Sequence, residues 1–309
     1  MVLLLQGLDM VDIRPRDLEC RSGPSCARES SMSSTLVGIS EARERIAAGQ
    51  AIVVDCRFDL AAPDAGVEAW RVGHLPGARY AHLAHDLSGP PVTDKGRHPL
   101  PTAEQLCAVF SALGIDTGKF VIAYDAAGGG LAAARLWWLL RYMGHYQVAV
   151  LDGGWQAWCR HGEAVSTAMS DHPCAVFQGA PRADRRVLLE TLAPSLQLLD
   201  ARDPVRYRGE SEPIDPRAGH IPGARNHFWQ KNLTPNGLFQ TVPALRQALV
   251  DSLGTLPDGE TIHYCGSGVS ACHNVLAQVH AGLPEPRVYC GSWSEWCLDP
   301  ARPATLGNS

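Results

Sequence analysis

The stretch GHLPGAR at residues 73–79 returns as GHIPGAR at 219–225, an offset of 146. Other blocks repeat around it in the same order. IVVDCR at 52–57 matches QLLDAR at 197–202, which places Asp55 on Asp200 at an offset of 145. VIAYD at 121–125 matches TIHYC at 261–265, and LDGGWQAW at 151–158 matches YCGSWSEW at 289–296, at offsets of 140 and 138. Four ordered matches with slowly drifting offsets indicate a duplicated domain. Its period, about 120–130 residues per copy, is too long for a solenoid.

Each copy follows one grammar. A short β-rich run ends in Asp-x-Arg, and the GHxPGA turn follows. A helical segment comes next (TAEQLCAVFSALG; TVPALRQALVDSLG), then a further apolar strand. A Gly-rich loop opens a second helix (LAAARLWWLLRYMG; SACHNVLAQVHAG), and a last strand leads into a Trp-containing helix start. Strands of this length alternating with helical patterns predict an α/β fold: a tandem repeat in which each domain is a mainly parallel sheet flanked by helices. The expected organisation is a flexible leader over 1–33, a first domain over 34–165, a polar Pro-containing linker over 166–186 and a second domain over 187–309. Met32 is an alternative translation start.

Composition narrows the function classes. The 309 residues are 45% apolar and 19% charged, which is globular rather than disordered. The formal net charge of −5 argues against a general nucleic-acid-binding surface. No run approaches the ~20 apolar residues of a membrane helix. The MVLLL start is too short for a signal-peptide core and has no basic segment before it, so a cytoplasmic location is expected. The ten cysteines are scattered without a CxxC pair, which argues for free thiols and against a structural zinc site.

The copies differ at one chemically decisive position. After the same strand, the first has Asp125 in DAAGGG and the second has Cys265 in CGSGVS. A Gly-rich loop before a helix turns backbone N–H groups toward one point, where the helix N-terminus adds positive potential. Such a cradle stabilises an anion on the Cys265 sulfur, as thiolate or as persulfide. Gly266 and Gly268 supply the close approach and positive φ the loop needs. Asp125 is no sulfur nucleophile, so the first copy is expected to be catalytically silent. Cys272, seven residues on, reads as a core position rather than a resolving thiol. Asp55, Arg57, Asp200, Arg202, His74 and His220 occur in both copies and read as structural. The paired Trp155, Trp158, Trp293 and Trp296 read as core aromatics.

The GHIPGA turn, Asp200–Arg202, the Cys265 loop and the GSWSEW block together resemble the two-domain sulfurtransferases of the rhodanese family, over roughly residues 36–303. The resemblance implies two rhodanese folds, an inactive N-terminal one and a C-terminal one bearing a sulfur-accepting cysteine. Thiosulfate-using members carry basic residues after the cysteine, in a CRKGVT loop. Here those positions are Gly266 and Ser267, so the loop resembles the version of the branch that uses 3-mercaptopyruvate, with Ser270 for the usual Thr. Fewer cations beside a thiolate disfavour a dianion more than a monoanionic keto acid.

The resemblance also implies site roles. Cys265 is the nucleophile and Ser267 a hydrogen-bonding or proton-relaying partner, with Gly266, Gly268, Val269 and Ser270 completing the loop. Arg206 matches the substrate-binding arginine, suited to clamping a carboxylate. Arg208 and Arg217 are candidates for a second arginine. His98, with Asp86 upstream, matches a pair the first domain lends to the site. The expected reaction is covalent sulfur transfer through a Cys265 persulfide, from a small-molecule donor to cyanide or to a thiol acceptor such as thioredoxin. No metal, cofactor, nucleic acid or membrane is implied. The alternatives are a thiosulfate sulfurtransferase and a non-turnover persulfide carrier or binding module. A Cys-x5-Arg phosphatase is disfavoured because Ala271 stands where its arginine is required.

Overall fold

A computed structural model describes residues 35–169, 173–192 and 196–308. The expected leader, the choice between Met1 and Met32, and Cys20 and Cys26 lie outside the described residues.

The β-branched run AIVVD and the apolar FVIAY become strands β2 (Ala51–Asp55) and β4 (Phe120–Tyr124), paired in parallel over their full length. Around them the first repeat sets β1 (Leu36–Val37), β3 (Arg79–Tyr80) and β5 (Val148–Leu151), in the order β1-β5-β4-β2-β3. The second repeat builds β6 (Arg186–Val187), β7 (Leu198–Asp200), β8 (Arg225–Asn226), β9 (Ile262–Tyr264) and β10 (Arg287–Tyr289), in the equivalent order β6-β10-β9-β7-β8. Every strand pair in both sheets is parallel.

Helices α1 (Ile39–Ala47), α2 (Ala65–Val72), α3 (Ala103–Ala112), α4 (Ala133–Tyr142) and α5 (Gly154–Arg160) flank the first sheet. Helices α6 (Pro204–Tyr207), α7 (Val242–Leu253), α8 (Ala271–His280) and α9 (Ser292–Trp296) serve the second. Local chemistry sets several helix ends. Thr102 and Gln105 form a reciprocal capping box at the start of α3. Helix α7 carries proline in its first turn and ends on Gly254 at φ 78°.

Helix α4 (AARLWWLLRY) is buried on all sides except at Arg141, and α8 is nearly so. A helix apolar around its circumference belongs inside a core. These two equivalent helices, one from each repeat, pack on each other. One apolar cluster therefore runs through both repeats, from Val54, Phe110 and Trp137 to Leu249, Val275 and Val288. Each such side chain contributes about 1.5–3 kcal/mol by burial. The opposite face of each sheet has its own core, around Ile122 and Trp158 in one and Ile262 and Trp293 in the other.

The duplicated polar residues brace this scaffold. Arg57 grips Asp55 at 2.6–3.1 Å and donates to Gly73 O, while Arg202 grips Asp200 at 2.6–3.1 Å and donates to Gly219 O. His74 and His220 each bond a helix-end carbonyl through Nδ1. The GHxPGA turns are thereby locked to the strand ends beneath them. No helix among the described residues is long and apolar enough to cross a membrane.

Candidate active site

The loop 265–270 leaves the end of β9 and enters α8, at the carboxyl edge of the second sheet where sites of parallel sheets gather. The Gly268 N–H turns inward and donates to Cys265 Sγ at 3.1 Å. Gly268 adopts φ 76°, and a Cβ there would run into the Cys290 carbonyl, so glycine is required on two counts. The loop is pinned from behind by the first residues of α9. Ser292 Oγ accepts from the Cys265 N–H, Trp293 N–H donates to Cys265 O, and Ser294 N–H donates to Gly266 O. Ser292 is the one non-glycine residue with positive φ among the described residues, at 56°, so backbone strain is held directly beneath Cys265.

Cys265 opens onto a cavity of about 260 Å³ between the two repeats. Phe58, Leu83 and Leu131 of the first repeat form one wall, and Trp229, Ile214 and the 265–270 loop form the other. Ser267 Oγ is bonded to His98 Nδ1 at 2.8 Å. Burial, followed by the Arg135 and Arg97 charges, pulls His98 down to about 4, so its imidazole is neutral at physiological pH. Ser267 therefore has a neutral partner able to exchange a proton with it.

Two guanidinium groups converge beside the Cys265 loop. A Cβ placed on Gly266 would lie 2.9 Å from Arg97 Nη2 and 3.6–3.7 Å from Arg206 Nη1 and Nη2. A long basic side chain at 266 would have to displace both. Neither arginine is electrostatically bare. Arg206 is gripped through Nε and Nη2 by Glu212 at 2.6–3.2 Å, and its Nη2 reaches Asp215 at 3.1 Å. Arg97 Nη1 pairs with Asp215, while its buried Nε has no hydrogen-bond partner among the described residues. Burial and the adjacent Arg206 charge lower Arg97 from the ordinary arginine value.

The sequence candidates divide accordingly. Cys265, Gly266, Ser267, Val269, Ser270, Arg206 and His98 all line the cavity, with Gly268 forming the floor of the loop. Three candidates do not line it. Asp86 caps its own turn by accepting the His82 N–H at 2.7 Å and lies in a separate hollow with Arg79 and Tyr80. Arg208 pairs with Glu210 at 2.6 Å on the far side of α6. Arg217 donates to Arg302 O at 2.6 Å, tying the GHIPGA turn to the C-terminal segment. The second arginine at the cavity is Arg97, from the first repeat. Its signal was its place next to His98; it escapes sequence reading because a cross-domain approach has no spacing rule. Arg202, read as structural, also reaches the cavity and pairs with Glu212 at 3.4 Å.

Cys272 is fully buried in α8 and donates its S–H to Gly268 O at 3.3 Å, consistent with a core position. In the first repeat, the equivalent cradle encloses the Asp125 carboxylate. The N–H groups of Ala127, Gly129, Leu131, Ala132 and Ala133 converge on it at 2.8–3.2 Å. Burial raises Asp125 and these donors oppose the shift.

Comparison with known proteins matches this geometry to a family. The rhodanese-like domain model matches twice, over residues 39–161 and 186–299. A Pseudomonas aeruginosa protein named as a probable 3-mercaptopyruvate sulfurtransferase is 43% identical over 285 residues, covering 89% of this chain and 99% of the relative. A Cricetulus griseus thiosulfate sulfurtransferase is 34% identical over 234 residues, covering 72% and 77%. The solved structure of SseA from Escherichia coli, described as a 3-mercaptopyruvate sulfotransferase with the rhodanese fold, superposes with a TM-score of 0.72 at 30% identity, covering 85% of this chain and all of that one. Two domain matches spanning most of the chain, on a duplicated fold with one cysteine-bearing cradle, make this protein a member of the rhodanese family.

Proposed function

We propose that the protein is a 3-mercaptopyruvate sulfurtransferase. The observation that carries the reading is the pairing of an uncharged Gly266–Ser267 loop with two carboxylate-braced arginines at Cys265. That arrangement suits a donor with one carboxylate better than a compact dianion. The relatives named for this activity support the same donor class.

In the proposed reaction the donor carboxylate lies between Arg97 and Arg206, presenting its sulfur to Cys265. The Cys265 thiolate attacks that sulfur, forming an S–S bond as the donor C–S bond breaks. The bonding electrons pass to carbon as pyruvate enolate. The proton of the donor thiol is the one the carbon takes, and the Ser267–His98 pair stands where it can carry it. Pyruvate leaves, and Cys265 holds an anionic persulfide facing the N–H donors of the loop. A thiol acceptor such as thioredoxin, or cyanide, then removes the outer sulfur and restores the thiolate.

The test is steady-state sulfur transfer with 3-mercaptopyruvate and with thiosulfate, for the native protein and Cys265→Ser. A preference for mercaptopyruvate that vanishes in the variant is expected. A preference for thiosulfate retains the nucleophile and overturns the donor assignment. Persulfide accepted from a protein partner, without turnover of either donor, identifies a carrier instead.

A further inference from the structure

We infer that Arg135, from the repeat that lacks the cysteine, is a positioning residue that fixes the Cys265 loop and supplies a buried positive charge behind its sulfur. The inference rests on Cys265 being the nucleophile and not on which donor it uses.

Arg135 lies in α4 and is fully buried. The other arginines at this depth are neutralised: Arg57 by Asp55 and Arg202 by Asp200. Among the described residues Arg135 has no carboxylate within ion-pair distance. Its Nη1 donates to Gly268 O at 3.0 Å, its Nη2 to His98 O at 3.5 Å and its Nε to Leu87 O at 3.4 Å. The buried thiols of Cys272 and Cys290 lie within reach of its charge, which opposes the rise that burial imposes on both. A buried cation with only neutral partners is an expensive feature to retain without a compensating role.

Its position supplies that role. Gly268 sends its N–H to Cys265 Sγ, while its carbonyl is held by Arg135 and by the Cys272 S–H. The guanidinium thus sets the orientation of the residue that donates to the reacting sulfur. Through His98 O it fixes the loop whose imidazole bonds Ser267. In the proposed reaction the attacking sulfur is a thiolate and the product is a persulfide anion. A fixed charge behind the loop favours both without touching the donor, because Arg135 does not line the cavity. The other groups around Cys265 are Arg97, Arg206 and Arg202 on the cavity side, with Glu212 and Asp215 as their partners, then neutral His98, and the thiols of Cys272 and Cys290 behind. Among the described residues only Arg135 brings an unpaired charge from the protein side.

The experiment compares Arg135→Gln, which removes the charge, with Arg135→Lys, which keeps it. Two quantities are read: the rate of Cys265 alkylation by iodoacetamide at pH 7, and kcat and KM for 3-mercaptopyruvate. The expected result is an alkylation rate and kcat at least tenfold lower in Arg135→Gln, donor KM within twofold of native, and most of the loss recovered in Arg135→Lys. Equal losses in both variants, or an unchanged alkylation rate in a folded Arg135→Gln, overturn the inference. If neither variant folds, the native protein decides it. A buried charge is not screened by salt, whereas Arg97 and Arg206 at the cavity are. Alkylation that holds its rate from 20 to 500 mM salt supports the inference; a tenfold fall refutes it. Because alkylation needs no donor, failure of the mercaptopyruvate assignment leaves this test intact.

Discussion

Replacing Asp215 by Asn should weaken discrimination against thiosulfate. Three arginines that line the cavity, Arg97, Arg202 and Arg206, are ion-paired with three carboxylates, Asp200, Glu212 and Asp215. The cluster is therefore neutral overall, and its arginines act as directional donors more than as net charge. Asp215 is buried and touches Arg97 and Arg206, so Asn keeps its shape and removes one negative charge. Two unit charges on the order of 6–8 Å apart interact by about 1–3 kcal/mol at an effective dielectric of 20–40. A donor dianion gains that amount twice and a monoanion once, so the differential is again about 1–3 kcal/mol. The ratio of kcat/KM for 3-mercaptopyruvate over thiosulfate should fall about five- to a hundredfold, at 1.36 kcal/mol per tenfold. Steady-state assays with cyanide as common acceptor read this ratio directly. The shift should shrink at 0.5 M salt, since the cavity is open to solvent. A folded, active Asp215→Asn enzyme with an unchanged ratio would refute the charge-balance explanation of donor choice.

Other outcomes follow from the same geometry. Arg97→Met and Arg206→Met should each raise the KM for 3-mercaptopyruvate about ten- to a hundredfold, the worth of hydrogen bonds to a charged group, with a smaller change in kcat; an unchanged KM for Arg97→Met would remove it from the donor site. Asp125→Ala leaves five N–H groups without their acceptor, so it should cost about 2–4 kcal/mol and lower the melting temperature by several degrees, with sulfur transfer at 25 °C retained. Acid should destabilise the fold steeply. Burial holds His98, His227 and His263 at about 4 and His273 at about 3, so they stay neutral in the folded state. Unfolded histidine takes up a proton near 6.5. Their contribution is thus complete above 6.5 and falls by about 1.4 kcal/mol per histidine per pH unit between 6.5 and 4. Urea melts at pH 7.5, 6 and 5 would show this, and a flat profile would contradict it.

The internal repeat made most of the fold legible. Matching Asp-x-Arg, GHxPGA, strand–loop–helix and Trp blocks imply two copies of one sheet, because strand and helix periodicity and turn chemistry are local properties of the chain. The same comparison isolated Cys265 against Asp125, and both occupy equivalent cradles. Arg206 and His98 were legible through the resemblance. Asp86, Arg208 and Arg217 are candidates through the same resemblance, as the aspartate upstream of the histidine and as the second arginine. None of them lines the cavity, because each is held by another partner: Asp86 by the His82 N–H, Arg208 by Glu210 and Arg217 by the Arg302 carbonyl.

Sequence by itself thus determined the duplicated α/β architecture and the contrast of Cys265 with Asp125 at equivalent positions, both of which depend on residues within one loop or one repeat. Tertiary structure alone decided which cations surround the sulfur. Arg97 and Arg135 come from the first repeat, 168 and 130 positions before Cys265. They reach its loop because α4 packs on α8 and brings the two carboxyl edges together. No period or spacing records such an approach. Nor does the sequence record that Glu212 and Asp215 brace the cavity arginines, since ion pairing falls off over a few ångströms and depends on geometry set only when both cores have closed.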